Sequence, residues 1–106
     1  MSIRIKAVFK RVDRPDAYVS HISNNLENFQ KYVGGYIETV TLVPEIDCVP
    51  GIVVICDEEG LLKQKPYNCQ YAGIDFVGDI IVIGCKGEEF CDVPIGWDLH
   101  KRMVNS

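Results

Sequence analysis

Leu26-Glu27-Asn28-Phe29-Gln30-Lys31-Tyr32-Val33-Gly34-Gly35-Tyr36-Ile37-Glu38 changes its period midway, and that change decides the fold. Before the glycines, Leu26, Phe29 and Val33 recur at helical spacing and share one face. Upstream, Asn24 stands at the N-cap position with Glu27 three residues on, a capping-box arrangement. Gly34 ends the helix because glycine reaches the left-handed conformation without a Cβ clash, and Gly35 adds a second hinge. From Tyr36 to Val43 the chain is rich in β-branched residues and predicts a strand. A double glycine beside a helix also invites a phosphate-binding interpretation. Phosphate loops precede helices, so that N-terminal amides face the anion; this pair follows one and is read as a helix stop.

Outward from this corner, Ile3 to Phe9 alternates as a strand and Ala17 to Ile22 can close a hairpin with it. Ile52-Val53-Val54-Ile55-Cys56 and Ile80-Ile81-Val82-Ile83 are unbroken apolar runs, as expected of central strands covered on both faces. Asp57-Glu58-Glu59-Gly60 predicts a turn with Gly60 at a positive-φ position and Leu61 and Leu62 starting the return strand. Lys63 to Asn68 is polar and broken by Pro66, and Gly73 to Val77 is ambiguous. Lys86-Gly87-Glu88-Glu89 predicts a second hairpin turn, with Phe90 and Cys91 pairing back. Asp92 caps a C-terminal helix near Pro94 to Val104, with Ile95, Leu99 and Met103 on one stripe. No repeat, low-complexity tract or domain boundary is legible, so residues 1–106 are expected to form one domain.

Net charge is −4, and residues 57–106, with nine acids and five bases, carry all of it. A basic stripe for phosphate backbones is missing, which disfavours nucleic acid as a partner. No apolar run approaches the ~20 residues that span a bilayer, and the alternating N-terminus lacks the apolar block of a signal peptide. A cytosolic protein with no membrane partner is expected. The five cysteines, Cys48, Cys56, Cys69, Cys85 and Cys91, form no Cys-x-x-Cys pair. Free thiols are therefore favoured over metal ligation with His21 or His100 and over a nucleophilic Cys–His pair. No serine elbow, HExxH or P-loop occurs. No catalytic residue, metal site or cofactor is predicted, and the chain is expected not to be an enzyme.

Two acidic turns are candidate contact sites: Asp57, Glu58 and Glu59 on one, Glu88 and Glu89 on the other. Each is read first as a solvated hairpin tip rather than a divalent-ion site. At the same end of the sheet they would form an acidic rim for a basic partner. Tyr67, Asn68 and Tyr71 supply aromatic and amide groups on a segment expected to be an exposed loop, suited to stacking on a base or anchoring a protein. A packed loop is the competing account. Arg4, Lys6, Lys10, Arg11 and Arg14 are read as a basic edge that guards a strand against aggregation.

In order, Ile3-Arg4-Ile5-Lys6-Ala7-Val8, Leu26-x-x-Phe29-Gln30-x-x-Val33-Gly34-Gly35-Tyr36-Ile37-Glu38, Ile55-Cys56-Asp57-Glu58-Glu59-Gly60, Asp79-Ile80-Ile81-Val82-Ile83-Gly84 and Gly87-Glu88-Glu89-Phe90 resemble the domain of unknown function 3846 family over about residues 3–92. The Pro66-x-Asn68 element also resembles its pattern. The Pro44–Gly51 loop and the Gly96-Trp97-Asp98-Leu99-His100-Lys101 ending depart from it and inherit nothing. The resemblance implies a small protein of phages, plasmids and conjugative elements of Gram-positive bacteria, encoded among antirestriction and accessory genes. It implies no established activity and no catalytic residues.

The expected architecture is a compact α+β domain, a mostly antiparallel sheet of five to six strands with two helices, its central strands covered by helices or by a second subunit in a homo-oligomer. The leading functional expectation is a non-enzymatic binding protein of a mobile element that meets a host protein and interferes with restriction or another antiphage defence. The alternative is capture of a small nucleotide-like ligand by Tyr67, Asn68 and Tyr71, with Arg4 or Lys6 meeting phosphate.

Overall fold

The computed structural model describes residues 3–47 and 49–94. They form β1 (Arg4–Lys10), β2 (Tyr18–Ser23), α1 (Leu26–Val33), β3 (Ile37–Val43), β4 (Gly51–Asp57), β5 (Tyr67–Tyr71), β6 (Ile74–Val77), β7 (Ile80–Lys86) and β8 (Glu89–Cys91). The expected C-terminal helix, with Ile95, Trp97, Leu99 and Met103, lies outside the described residues. Among the described residues there is one helix.

A six-stranded sheet runs in the order β2-β1-β7-β4-β3, with β8 pairing β7 off this path, and every pairing in it is antiparallel. β7 is the organising strand. Its first residues pair with β1 and its last, Gly84 to Lys86, with β8. Along its other side it pairs with β4. After β8 the chain continues beside β1: the Lys6 amide donates to Asp92 Oδ1 (2.8 Å) and the Val93 amide to the Lys6 carbonyl (2.9 Å).

The two apolar runs sit where continuous hydrophobicity demands, as central strands β4 and β7. Their alternate residues feed two cores. Val53, Ile55, Ile81 and Ile83 join Ile5, Ala7, Phe9, Phe29 and Val33 beneath α1. Ile52, Val54, Cys56, Ile80 and Val82 join Val8, Cys69, Tyr71 and Phe76 beneath the β5–β6 hairpin. Both covers therefore come from this chain: a helix on one face and a two-stranded ribbon on the other. The segment expected to be loop and ambiguous chain, residues 67–77, is this second cover. Its alternation is hidden by a bulge between Tyr67 and Cys69, which leaves Asn68 and Cys69 both buried though adjacent in sequence.

Local corrections have local causes. The N-cap of α1 is Asn25, not Asn24; its side chain accepts from the Asn28 amide at 2.9 Å. Asn24 instead donates through Nδ2 to the Phe90 carbonyl. Phe29 and Val33 are buried as expected, but Leu26, on the first turn, is 55% exposed. Gly34 is the left-handed cap, at φ 81. Neither Gly35 nor Gly60 has positive φ. β1 is internal to the sheet, so its basic residues do not guard an edge.

Candidate functional site

The chain leaving β4 does not return as a strand. It coils into a compact turn closed by Lys63 N to Glu59 O (2.9 Å) and Lys65 N to Gly60 O (3.0 Å), and then crosses to the opposite face of the sheet. The turn folds two lysines back over the end of α1. Lys63 Nζ lies 2.9 Å from Asp57 Oδ2 and 3.2 Å from the Gly34 carbonyl. Lys65 Nζ lies 2.7 Å from Asp57 Oδ2 and donates to the Val33 carbonyl. The negative pole of α1 thus receives two cations.

Asp57, expected on a solvated tip, is instead a buried ion-pair centre. Burial by itself would raise its carboxyl. The Lys65 and Lys63 ammoniums and the Glu59 amide more than reverse this and hold it at about 2. Its oxygens are committed to these partners, and among the described residues no group of acidic, His or Cys side chains is arranged to hold a metal ion. The double glycine is explained here as well. A Cβ on Gly35 would lie 2.5 Å from Lys63 Nζ and 2.8 Å from Asp57 Oδ1.

Glu58 and Glu59 are exposed on the same turn. Glu88 and Glu89 are exposed too, but at the other end of the sheet: β4 begins at Gly51 opposite Cys85 and ends at Asp57 opposite Ile37. Six strand steps separate the two turns, roughly 20 Å, so they form no common rim. What the structure gathers round the first turn is different. Leu61 and Leu62 project from it at 81% and 82% exposure. Beside Leu61 runs a trough of ≈ 160 Å³ floored by Val40, Cys56, Phe76 and Val77, with Ile74 along it. Glu38, Glu58 and Asp75 line the same trough, and none of the three pairs with a cation among the described residues. No sequence pattern announces this surface, because its residues come from β3, β4, the turn and β6.

Tyr67, Asn68 and Tyr71 are not an exposed trio. Tyr71 is buried in the core and Asn68 is 4% exposed. Asn68 Nδ2 donates to the Lys10 and Gly78 carbonyls at 2.9 and 2.7 Å. Tyr67 keeps an exposed ring, its hydroxyl donating to Asp75 Oδ1 at 2.9 Å. Tyr67 and Asn68 line a cleft of ≈ 350 Å³ with Lys10, Val12, Asp13, Arg14 and Pro15. Arg4, by contrast, lines a groove with Asn24 and Phe90 at the far end of β1.

Of the four described thiols, Cys56 and Cys69 are buried and Cys85 and Cys91 half-buried. Burial pushes Cys56 up to about 11, helped by Glu38 and Asp57, and burial is also the main cause raising Cys69, Cys85 and Cys91. All four are unpaired.

The family model described as Domain of unknown function (DUF3846) matches residues 5–99. The chain belongs to the DUF3846 family. No curated protein and no solved structure matches it. The helix–Gly34–Gly35–strand corner and the Asp57 turn, two of the segments that carry the likeness, are thus in contact in this DUF3846 chain through Lys63 and Lys65. No helix among its described residues is long and apolar enough to cross a membrane.

Proposed function

We propose that this DUF3846 protein acts by binding rather than by covalent chemistry, and that it docks a protein partner through the Leu61–Leu62 turn. One observation carries this reading: Leu61 and Leu62 stand more than four-fifths exposed, and Leu61 borders an apolar trough also lined by three carboxylates that pair with no cation among the described residues. Buried apolar anchors inside a polar ring are the anatomy of an interaction hot spot. The carboxylates select the partner. It presents an apolar side chain flanked by lysine or arginine, and Glu38, Glu58 and Asp75 speed and orient its approach. A second copy of this surface is disfavoured, since it would set like charges against each other. Thiols held protonated are poor nucleophiles, which also weighs toward binding.

The family's implied setting, interference with restriction or another antiphage defence, fits a small acidic inhibitor of this kind. The test expresses the parent and Leu61→Asp/Leu62→Asp in defence-bearing bacterial strains challenged with phage. The parent protects the phage and retains a salt-sensitive host protein in pull-down; the variant, equally folded, does neither. Loss of protection with the partner still held, or no protection by the parent in any strain, overturns the reading.

A further inference from the structure

The cleft between the turn after β1 and the start of β5 has its own chemistry. Lys10 is 2% exposed, yet no carboxylate among the described residues lies within ion-pairing distance of it. Its ammonium donates to the Arg11 and Arg14 carbonyls at 2.8 and 2.6 Å, which leaves its charge uncompensated. A buried cation without a counter-ion is costly. Arg14, on the same rim, lies 5.6 Å over the Tyr18 ring and pairs with no carboxylate among the described residues. Asp13, the one acid lining the cleft, is already taken by Arg11 at 3.1 Å. An acidic protein thus holds a locally positive cleft.

Asn68 supplies the second requirement. Both its amide hydrogens are spent on backbone carbonyls, which fixes the side-chain orientation and leaves Oδ1 buried with no donor. A ligand suited to this cleft brings negative charge for Lys10 and Arg14 and an N–H or O–H for Asn68. A halide or carboxylate supplies only the first. A phosphate monoester supplies both, since its second pKa near 6 leaves part of it carrying P–O–H at neutral pH. The cleft, at ≈ 350 Å³, has room for a group beyond the phosphate, and the exposed face of Tyr67 offers that group a stacking surface.

We propose that the Lys10–Arg14–Asn68 cleft is a binding site for a small phosphate-bearing molecule with a planar ring. The site is separate from the Leu61–Leu62 surface and does not depend on its having a partner. Uniformly ¹⁵N-labelled protein is titrated with inorganic phosphate, with adenosine 5′-monophosphate, and with potassium chloride at matched ionic strength. Both phosphates should move the amide signals of Val12, Arg14, Asn68 and Gly78, the nucleotide at lower concentration. Arg14→Gln, at an exposed position, should weaken binding at least about five-fold while the rest of the spectrum stays in place. Leu61→Asp should bind as the parent does. Silence toward both phosphates, shifts that chloride reproduces, or affinity unchanged in Arg14→Gln each overturns the proposal.

Discussion

Lys65 Nζ sits 2.7 Å from Asp57 Oδ2 while also donating to the Val33 carbonyl at the end of α1. One ammonium thereby fastens the last residue of β4 to the last turn of the helix that covers it. Lys63 makes the same two kinds of contact one turn of chain earlier. Asp57 is the shared anion, with its side chain 1% exposed.

Replacing that anion should expose the arrangement's weight. Asp57→Asn leaves two ammoniums facing helix carbonyls without a counter-charge. Because the lysines are 39% and 21% exposed, water relieves part of the loss. A destabilisation of about 2 kcal/mol is expected, within the range for hydrogen bonds to charged groups. Urea unfolding should show a lower midpoint at unchanged slope. A change below about 0.5 kcal/mol would make the cluster incidental.

Acid should reveal the same group. The Asp57 carboxyl is held at about 2, below the ordinary aspartate value of 3.8. A depressed folded-state pKa gives stability that is fully present above the unfolded value. That contribution is lost as pH falls from about 4 toward 2. Between those limits the parent should lose stability faster than Asp57→Asn, and the two curves should converge near pH 2. Parallel curves would remove Asp57 as the source.

Gly35→Ala isolates crowding from backbone strain. Gly35 does not have positive φ, so alanine meets no conformational penalty there. Its Cβ would nonetheless crowd Lys63 Nζ and both Asp57 carboxylate oxygens, all within 3.0 Å. Thermal unfolding should fall by about 1–2 kcal/mol equivalent. In a Lys63→Met background, which removes the nearest of these atoms, the cost should shrink, as a coupled pair requires. An equal cost in both backgrounds would point to some other contact.

Thiol labelling should divide the cysteines. Cys69 is 0% exposed and burial raises its pKa, and Cys56 is held at about 11. Neither should react with a thiol reagent at pH 7.5 until the protein unfolds. Prompt modification of either in the folded state, located by mass spectrometry, would contradict the packing described.

Much of the sheet was legible because it rests on local chemistry. The unbroken runs of β4 and β7 marked central strands, Gly34 marked the helix stop, and turn residues marked the β1–β2 and β7–β8 hairpins. The β5–β6 ribbon was missed because the bulge at Asn68 breaks the period of two and Pro66 just before it suggests loop. Asn24 and Asn25 are both good caps, and only the position of the Phe90 carbonyl decided between them. The leucine surface and the Lys10 cleft left no linear signal, since each assembles side chains far apart in the chain.

By itself, then, the sequence determined the strands of the main sheet, the helix with its Gly34 stop, and that both faces of the central strands had to be covered. Side-chain period and backbone freedom are properties of neighbouring residues and need no fold to be read. Only the tertiary structure decided what covers each face, that Asp57 is a buried ion-pair centre while Glu58 beside it is exposed, and that Lys10 is buried. Burial and pairing depend on what the rest of the chain brings within a few ångströms. Lys65 meets the Val33 carbonyl, 32 residues away, only because the turn after β4 folds back over the end of α1.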